Sequence, residues 1–137
     1  MRTIRLAALA ALMAAPATAA DNETTPAANA ENRDYAAGRK AIERKNWAAA
    51  AESLRKVVAG EPNNADAYTM LGYALRRQGR IDEAFAAYAA ALAIDPKHRG
   101  ALEYLGVAHL MAGQPAKAQE QLDRLERVAG RGAGEYR

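Results

Sequence analysis

Residues 61–96 read EPNNADAYTMLGYALRRQGRIDEAFAAYAAALAIDP, and the placement of their apolar side chains decides the fold. After Asn64, whose side chain can cap a helix, Tyr68, Leu71, Ala74 and Leu75 recur at helical spacing as far as Gly79, a helix-ending residue. A second helix is predicted from Asp82. Its inner stripe is Ala84, Tyr88, Ala91 and Leu92, and Asp95-Pro96 stops it, because proline disfavours helix in the residue before it. The segment is a pair of helices joined by a tight turn.

The same signals return every 34 residues: Gly38, Gly72 and Gly106; Ala50, Ala84 and Ala118; Leu54, Tyr88 and Leu122; Val57, Ala91 and Leu125. Pro62 and Pro96 are succeeded by Gly130. Three units result, residues 31–64, 65–98 and 99–132. Counting from the start of each unit, glycine at position 8 and alanine at position 20 let the paired helices approach closely. A large residue at position 24 fills the adjoining gap.

At this point the chain resembles the tetratricopeptide repeat family. The middle unit matches its pattern at Tyr68, Leu71, Gly72, Gly79, Ala84, Tyr88, Ala91 and Pro96, and the third at Leu105, Gly106, Gly113 and Ala118, with Leu122 for the aromatic. The first is more degenerate: it keeps Gly38, Ala50, Leu54 and Pro62 but has Ala37 and Ala41 where larger residues are usual, and Trp47 where Ile81 and Pro115 stand later. The resemblance implies an all-α fold, three helix-turn-helix repeats stacked as a short right-handed superhelical solenoid over residues 32–129. One such unit cannot bury its own apolar face, so about three must stack. The family usually adds a polar helix over the last repeat. Here glycines at 130, 132 and 134 predict a flexible tail over 130–137 and a last helix that shows part of Leu122, Leu125 and Val128 to solvent.

Composition bounds the rest. Alanine supplies 37 of the 137 residues, and of the 32 larger apolar residues six fall in the first twenty positions, so the remaining 26 build one small domain. Arg2 and Arg5, the apolar stretch from Leu6 to Ala15, Pro16 and small residues up to Ala20 read as a secretory signal peptide over 1–20, cleaved after Ala19 or Ala20. The stretch is far shorter than the roughly 20 apolar residues a bilayer requires, so no membrane insertion is expected after cleavage. No cysteine follows it to carry a lipid. Residues 21–31, DNETTPAANAE, are polar and without apolar period, and read as a disordered linker. The leader carries two of the nineteen basic residues and none of the sixteen acidic ones, leaving one net positive charge on the rest. That near-neutrality, together with export to the bacterial periplasm, argues against a nucleic-acid partner despite a pI of about 9.3.

Catalytic chemistry has little to draw on. There is no cysteine, Ser53 is the single serine and lies in no nucleophile motif, and His98 and His109 stand eleven residues apart without convergent ligands. His109 occupies the place of Leu75 in the previous unit and reads as a packed residue. No enzyme, cofactor or metal is expected. The resemblance instead implies a groove lined by the first helix of each unit. Carried onto this chain, its positions 2, 5, 9, 12 and 13 include Asn32, Tyr35, Arg39 and Glu43; Asp66, Tyr73, Arg76 and Arg77; and Glu103, Leu110 and Met111. Tyr35, Arg39, Tyr73, Arg76, Arg77, Glu103 and Met111 are the candidate contacts, because tyrosine offers apolar area with a polar tip and arginine grips carboxylates. Three arginines face three acids, so the groove carries no clear sign; the bland alternative is a solvated helix face. The carboxylate clamp of chaperone-binding relatives is missing, since its places hold Tyr35, Arg39, Met70, Gly100 and Tyr104. The expected function is a protein-interaction scaffold of the cell envelope that receives a peptide or helix of another protein. The alternative is self-assembly as a homodimer through the uncovered last repeat.

Overall fold

The computed structural model describes residues 32–133. The leader, the linker and the end of the tail at 134–137 lie outside the described residues. Among the described residues the order is α1 (Arg33–Glu43), α2 (Trp47–Gly60), α3 (Ala65–Arg77), α4 (Ile81–Ile94), α5 (Arg99–Met111) and α6 (Pro115–Ala133). Consecutive helices pair, α3 also lies on α2 and α1, and α5 lies on α4 and α3, which makes an all-α solenoid of three helix pairs.

Local chemistry explains where the helices start. Asn46 accepts a hydrogen bond from the Ala49 N–H at 3.2 Å and Asn64 one from Ala67 at 3.0 Å, each satisfying a donor the helix leaves free. At α5 the cap is His98, whose Nδ1 accepts from the Ala101 N–H at 3.1 Å. Its proton therefore sits on Nε2, which donates to Asp66 Oδ1 at 2.6 Å and ties the start of α5 to the first turn of α3. Asn32, a groove position in the sequence reading, is instead the cap of α1, accepting from Asp34 and Tyr35. The helix α1 starts two positions later in its unit than α3 and α5 do. The fourth helix starts at Ile81 rather than Asp82; Arg80 makes no side-chain cap, and Asp82 with Glu83 places negative charge on the first turn instead.

Within each pair the turn reverses at position 15, where Lys45, Gly79 and Gly113 have φ of 56°, 77° and 70°. A left-handed residue is the usual helix stop, and lysine there carries a strain that glycine does not. The last helix departs from expectation. It runs to Ala133, so the first residues of the glycine-rich tail are helical. Neither a left-handed turn residue nor an Asp-Pro step stands in its path, and continued intrahelical bonding outweighs the glycine penalty of about 1 kcal/mol per residue.

Packing rests on small residues. Ten of the seventeen buried apolar residues described are alanine, including Ala50, Ala84, Ala67, Ala74, Ala101 and Ala108 at 0% exposure. Helices faced this way meet backbone to backbone, and the few large side chains fill what remains. A Cβ on Gly38 would stand 2.7 Å from Leu54 Cγ, and one on Gly72 would stand 2.5 Å from Tyr88 Cε1. The third unit differs: a Cβ on Gly106 would meet nothing closer than Gln121 Cβ at 3.7 Å. Leu122, the counterpart of the fully buried Leu54 and Tyr88, is 46% exposed, and Gln121 is buried in its stead. In the first two pairs the next leading helix closes over this place, whereas among the described residues none follows α6. Leu125 and Val128 pack against the second core cluster, around Leu92 and Leu102.

Three outcomes follow for stability in urea. Gly72→Ala lowers it by about 2 kcal/mol because Tyr88 must move, whereas Gly106→Ala costs nothing and gains up to about 1 kcal/mol of helix propensity; equal losses would refute the packing difference. Lys45→Gly raises it by about 1 kcal/mol through relief of the left-handed strain; a loss would contradict the turn geometry. Burial pushes the Tyr88 hydroxyl from 10.0 up to about 12, with the Arg76 guanidinium pulling the other way. The unfolded chain thus ionises first, and about 2–3 kcal/mol of stability, present below pH 10, is lost as pH rises towards 12; Tyr88→Phe removes that step, and an unchanged alkaline transition in this variant would assign it elsewhere.

Candidate binding site

The leading helices α1, α3 and α5 touch in sequence and form one flank of the solenoid. The second half of α3 carries Tyr73, Arg76 and Arg77, and its neighbours supply rings on both sides. Tyr73 meets Trp47 of α2 edge to face at 5.7 Å and Tyr104 of α5 at 5.2 Å. Tyr104 in turn lies 6.4 Å from Tyr88, so an aromatic strip runs across all three helix pairs and ends on the ring that packs over Gly72. The guanidinium of Arg76 stands 5.2 Å from the Tyr73 ring and that of Arg77 stands 4.6 Å from the Trp47 ring. Stacking of this kind orients a guanidinium through its face and leaves its in-plane donors for another group. Met111 closes the strip, with its sulfur 3.5 Å from Arg76 Nη1.

The three arginines and the three acids of the groove do not pair with one another. Asp66 accepts a hydrogen bond from the neutral His98 and keeps its charge, while outside the groove Glu83 is shared by Arg55 and Arg80 at 2.7 Å each. Among the described residues Arg39, Arg76 and Arg77 enter no ion pair with a carboxylate. Arg76 Nε and the Tyr88 hydroxyl are buried without a hydrogen-bond partner among those residues, close to one another but not in bonding geometry. The strip therefore carries two guanidinium charges without a paired acid, and apart from the contact of Arg76 Nη1 with the Met111 sulfur their in-plane donors bond no other side chain among the described residues.

The seven candidate contacts separate into three places. Tyr73, Arg76, Arg77 and Met111 come together. Tyr35 is half-buried against the first core cluster, its pKa raised by burial and by Asp66 while Arg39 opposes, and neither Tyr35 nor the exposed Arg39 has a ring contact with the strip. Glu103 lies elsewhere, on the wall of a cavity between α5 and α6. Trp47 and Tyr104, which hold Tyr73 from either side, are absent from the sequence-derived set. Trp47 stands on a second helix, outside the groove positions that the resemblance implies, and Tyr104 stands at one of the clamp positions. His109 stacks on Phe85 at 4.8 Å and bonds Gln114 through Nδ1 at 2.9 Å. Among the described residues there is no group of three or more potential metal ligands, and no helix is long and apolar enough to cross a membrane.

Comparison with known proteins agrees with the repeat geometry. No curated protein sequence matches the chain. Among solved structures, a crystal structure of MamA is similar at 25% identity and a TM-score of 0.67, covering 71% of this chain and 57% of that one, so this chain spans less than two thirds of its length. The TPR2B domain of yeast Sti1 in complex with pHsp70 aligns at 21% identity and a TM-score of 0.72, over 80% of this chain and 86% of that one. The first repeat domain of Spaghetti, bound to the HSP90 peptide SRMEEVD, aligns at 19% identity and 0.65, over 66% and 72%. Two family models, each described as a tetratricopeptide repeat, match residues 35–99 and 75–132. With glycine-centred helix pairs repeating every 34 residues through both matched spans, the chain belongs to the tetratricopeptide repeat family.

Proposed function

We propose that the aromatic strip is the anchor of a protein-interaction module, and that its ligand is a carboxylate-bearing segment of another protein. The observation that carries this reading is Tyr73, held between Trp47 and Tyr104 with Arg76 stacked on it and Arg77 on Trp47. Rigid aromatic area together with unpaired arginine is the composition of a binding hot spot. The order of the rings lowers the entropy lost on binding, since the surface is already set. A peptide as ligand is supported by the Sti1 and Spaghetti complexes, in which repeat domains of similar fold hold chaperone peptides. The residues used here differ, because Tyr35, Arg39, Met70, Gly100 and Tyr104 stand at the clamp positions and the ring-stacked cations are Arg76 and Arg77. The signal-peptide pattern of residues 1–20 supports a cell-envelope setting for this interaction, and the role proposed for the module is that of a scaffold.

The test is a crosslinked pull-down from the envelope fraction with wild-type protein and a Tyr73→Ala/Arg76→Ala variant of unchanged helicity. Loss of the crosslinked partners, with affinity for the main one falling at least tenfold, is expected. Retention of the same partners at the same affinity would refute the strip as the anchor.

A further inference from the structure

An open cavity of about 370 Å³ lies between α5 and α6, at the opposite pole from α1. Leu102, Gly106, Val107, Leu110, Leu122 and Leu125 line it, and Glu103 is its single charged lining residue. Leu110 is 60% and Leu122 46% exposed. One repeat earlier the equivalent surface is closed: Gly72, Ala84, Tyr88 and Ala91 are buried, and α5 lies over α3 and α4. Each internal joint is made the same way. The arriving helix presents two alanines seven residues apart, Ala67 and Ala74 or Ala101 and Ala108, all 0% exposed, with Leu71 or Leu105 between them.

We infer that this cavity is a second docking site, distinct from the aromatic strip, and that it takes one amphipathic helix of another protein, laid in as α5 lies on α3 and α4. The buried face of that helix carries two small residues seven apart and no charge. Its direction is fixed by Glu103. The counterpart of Glu103 one repeat earlier is Thr69, whose Cγ2 lies 3.7 Å from a Cβ built on Gly100 in the first turn of α5. A carboxylate at that place meets the positive end of the incoming helix. The chain's own first helix does not fit, because Arg33 and Lys40 hold the places of the two alanines, so head-to-tail stacking would bury two cations on an apolar wall. Pairing of two copies through this surface would bring two Glu103 carboxylates into one apolar interface, which is likewise unfavourable.

The probe is a labelled synthetic helix with the sequence of residues 99–111, RGALEYLGVAHLM, held helical by a lactam bridge on its outer face. Fluorescence anisotropy against the full chain reads its binding. Wild-type protein is expected to bind it. Gly106→Leu, which fills the cavity at a position where a Cβ has only ordinary contacts, weakens binding at least tenfold, and Glu103→Gln weakens it about two- to fivefold. Absence of binding to the wild-type chain, or unchanged binding to Gly106→Leu, overturns the inference. So does a wild-type dimer in sedimentation that Leu122→Glu dissolves, since the surface would then serve self-association.

Discussion

The contact between Gly72 and the Tyr88 ring is the constraint on which the rest depends. No other residue at position 72 leaves room for that ring, and the ring cannot leave without opening the centre of the molecule. Because Tyr88 also lies beside Tyr104, which lies beside Tyr73, the packing inside the middle helix pair sets the position of the next pair and of the half-buried aromatic strip together. A core made largely of alanine gives little hydrophobic surface per residue. It compensates by bringing helices close enough for many small contacts, and a misplaced methyl group is correspondingly costly.

The two ends of the solenoid resolve the same constraint differently. At α1, arginine and lysine replace the alanines of the internal joints, so the outer face is polar. At α6 no large side chain occupies the space beside Gly106, and the helix pair is left with an apolar opening. The flank between these ends carries oriented arginines whose neighbours are rings rather than acids. An elongated, repetitive core thus yields two chemically unlike surfaces, one cationic and aromatic, one aliphatic with a single carboxylate.

Much of the architecture was legible before any coordinates, since glycine, alanine and proline spaced by 34 residues report backbone distances and helix ends directly. Capping by Asn64 and termination at Gly79 and Asp95 are local events and were readable for that reason. The site was only half legible. Arg77 over Trp47 and Tyr73 beside Tyr104 join residues about thirty positions apart on different helices, and that Arg76 and Arg77 face rings rather than acids is visible only once those helices are packed. Periodicity treats Leu54, Tyr88 and Leu122 alike, yet the third lacks a following helix to press it inward. The end of α6 lies beyond Gly130 because glycine propensity is a small local term, overruled when nothing else interrupts the helix.

The most direct measurement is a set of proton–proton distances in solution, read by nuclear Overhauser effects on the full chain. Strong effects from the Gly72 α-protons to the Tyr88 ring and from the Gly38 α-protons to the Leu54 methyls are predicted, with none from Gly106 to the Leu122 methyls. A Tyr88 ring without contact to Gly72, or a Leu122 side chain seated on Gly106, would contradict the account.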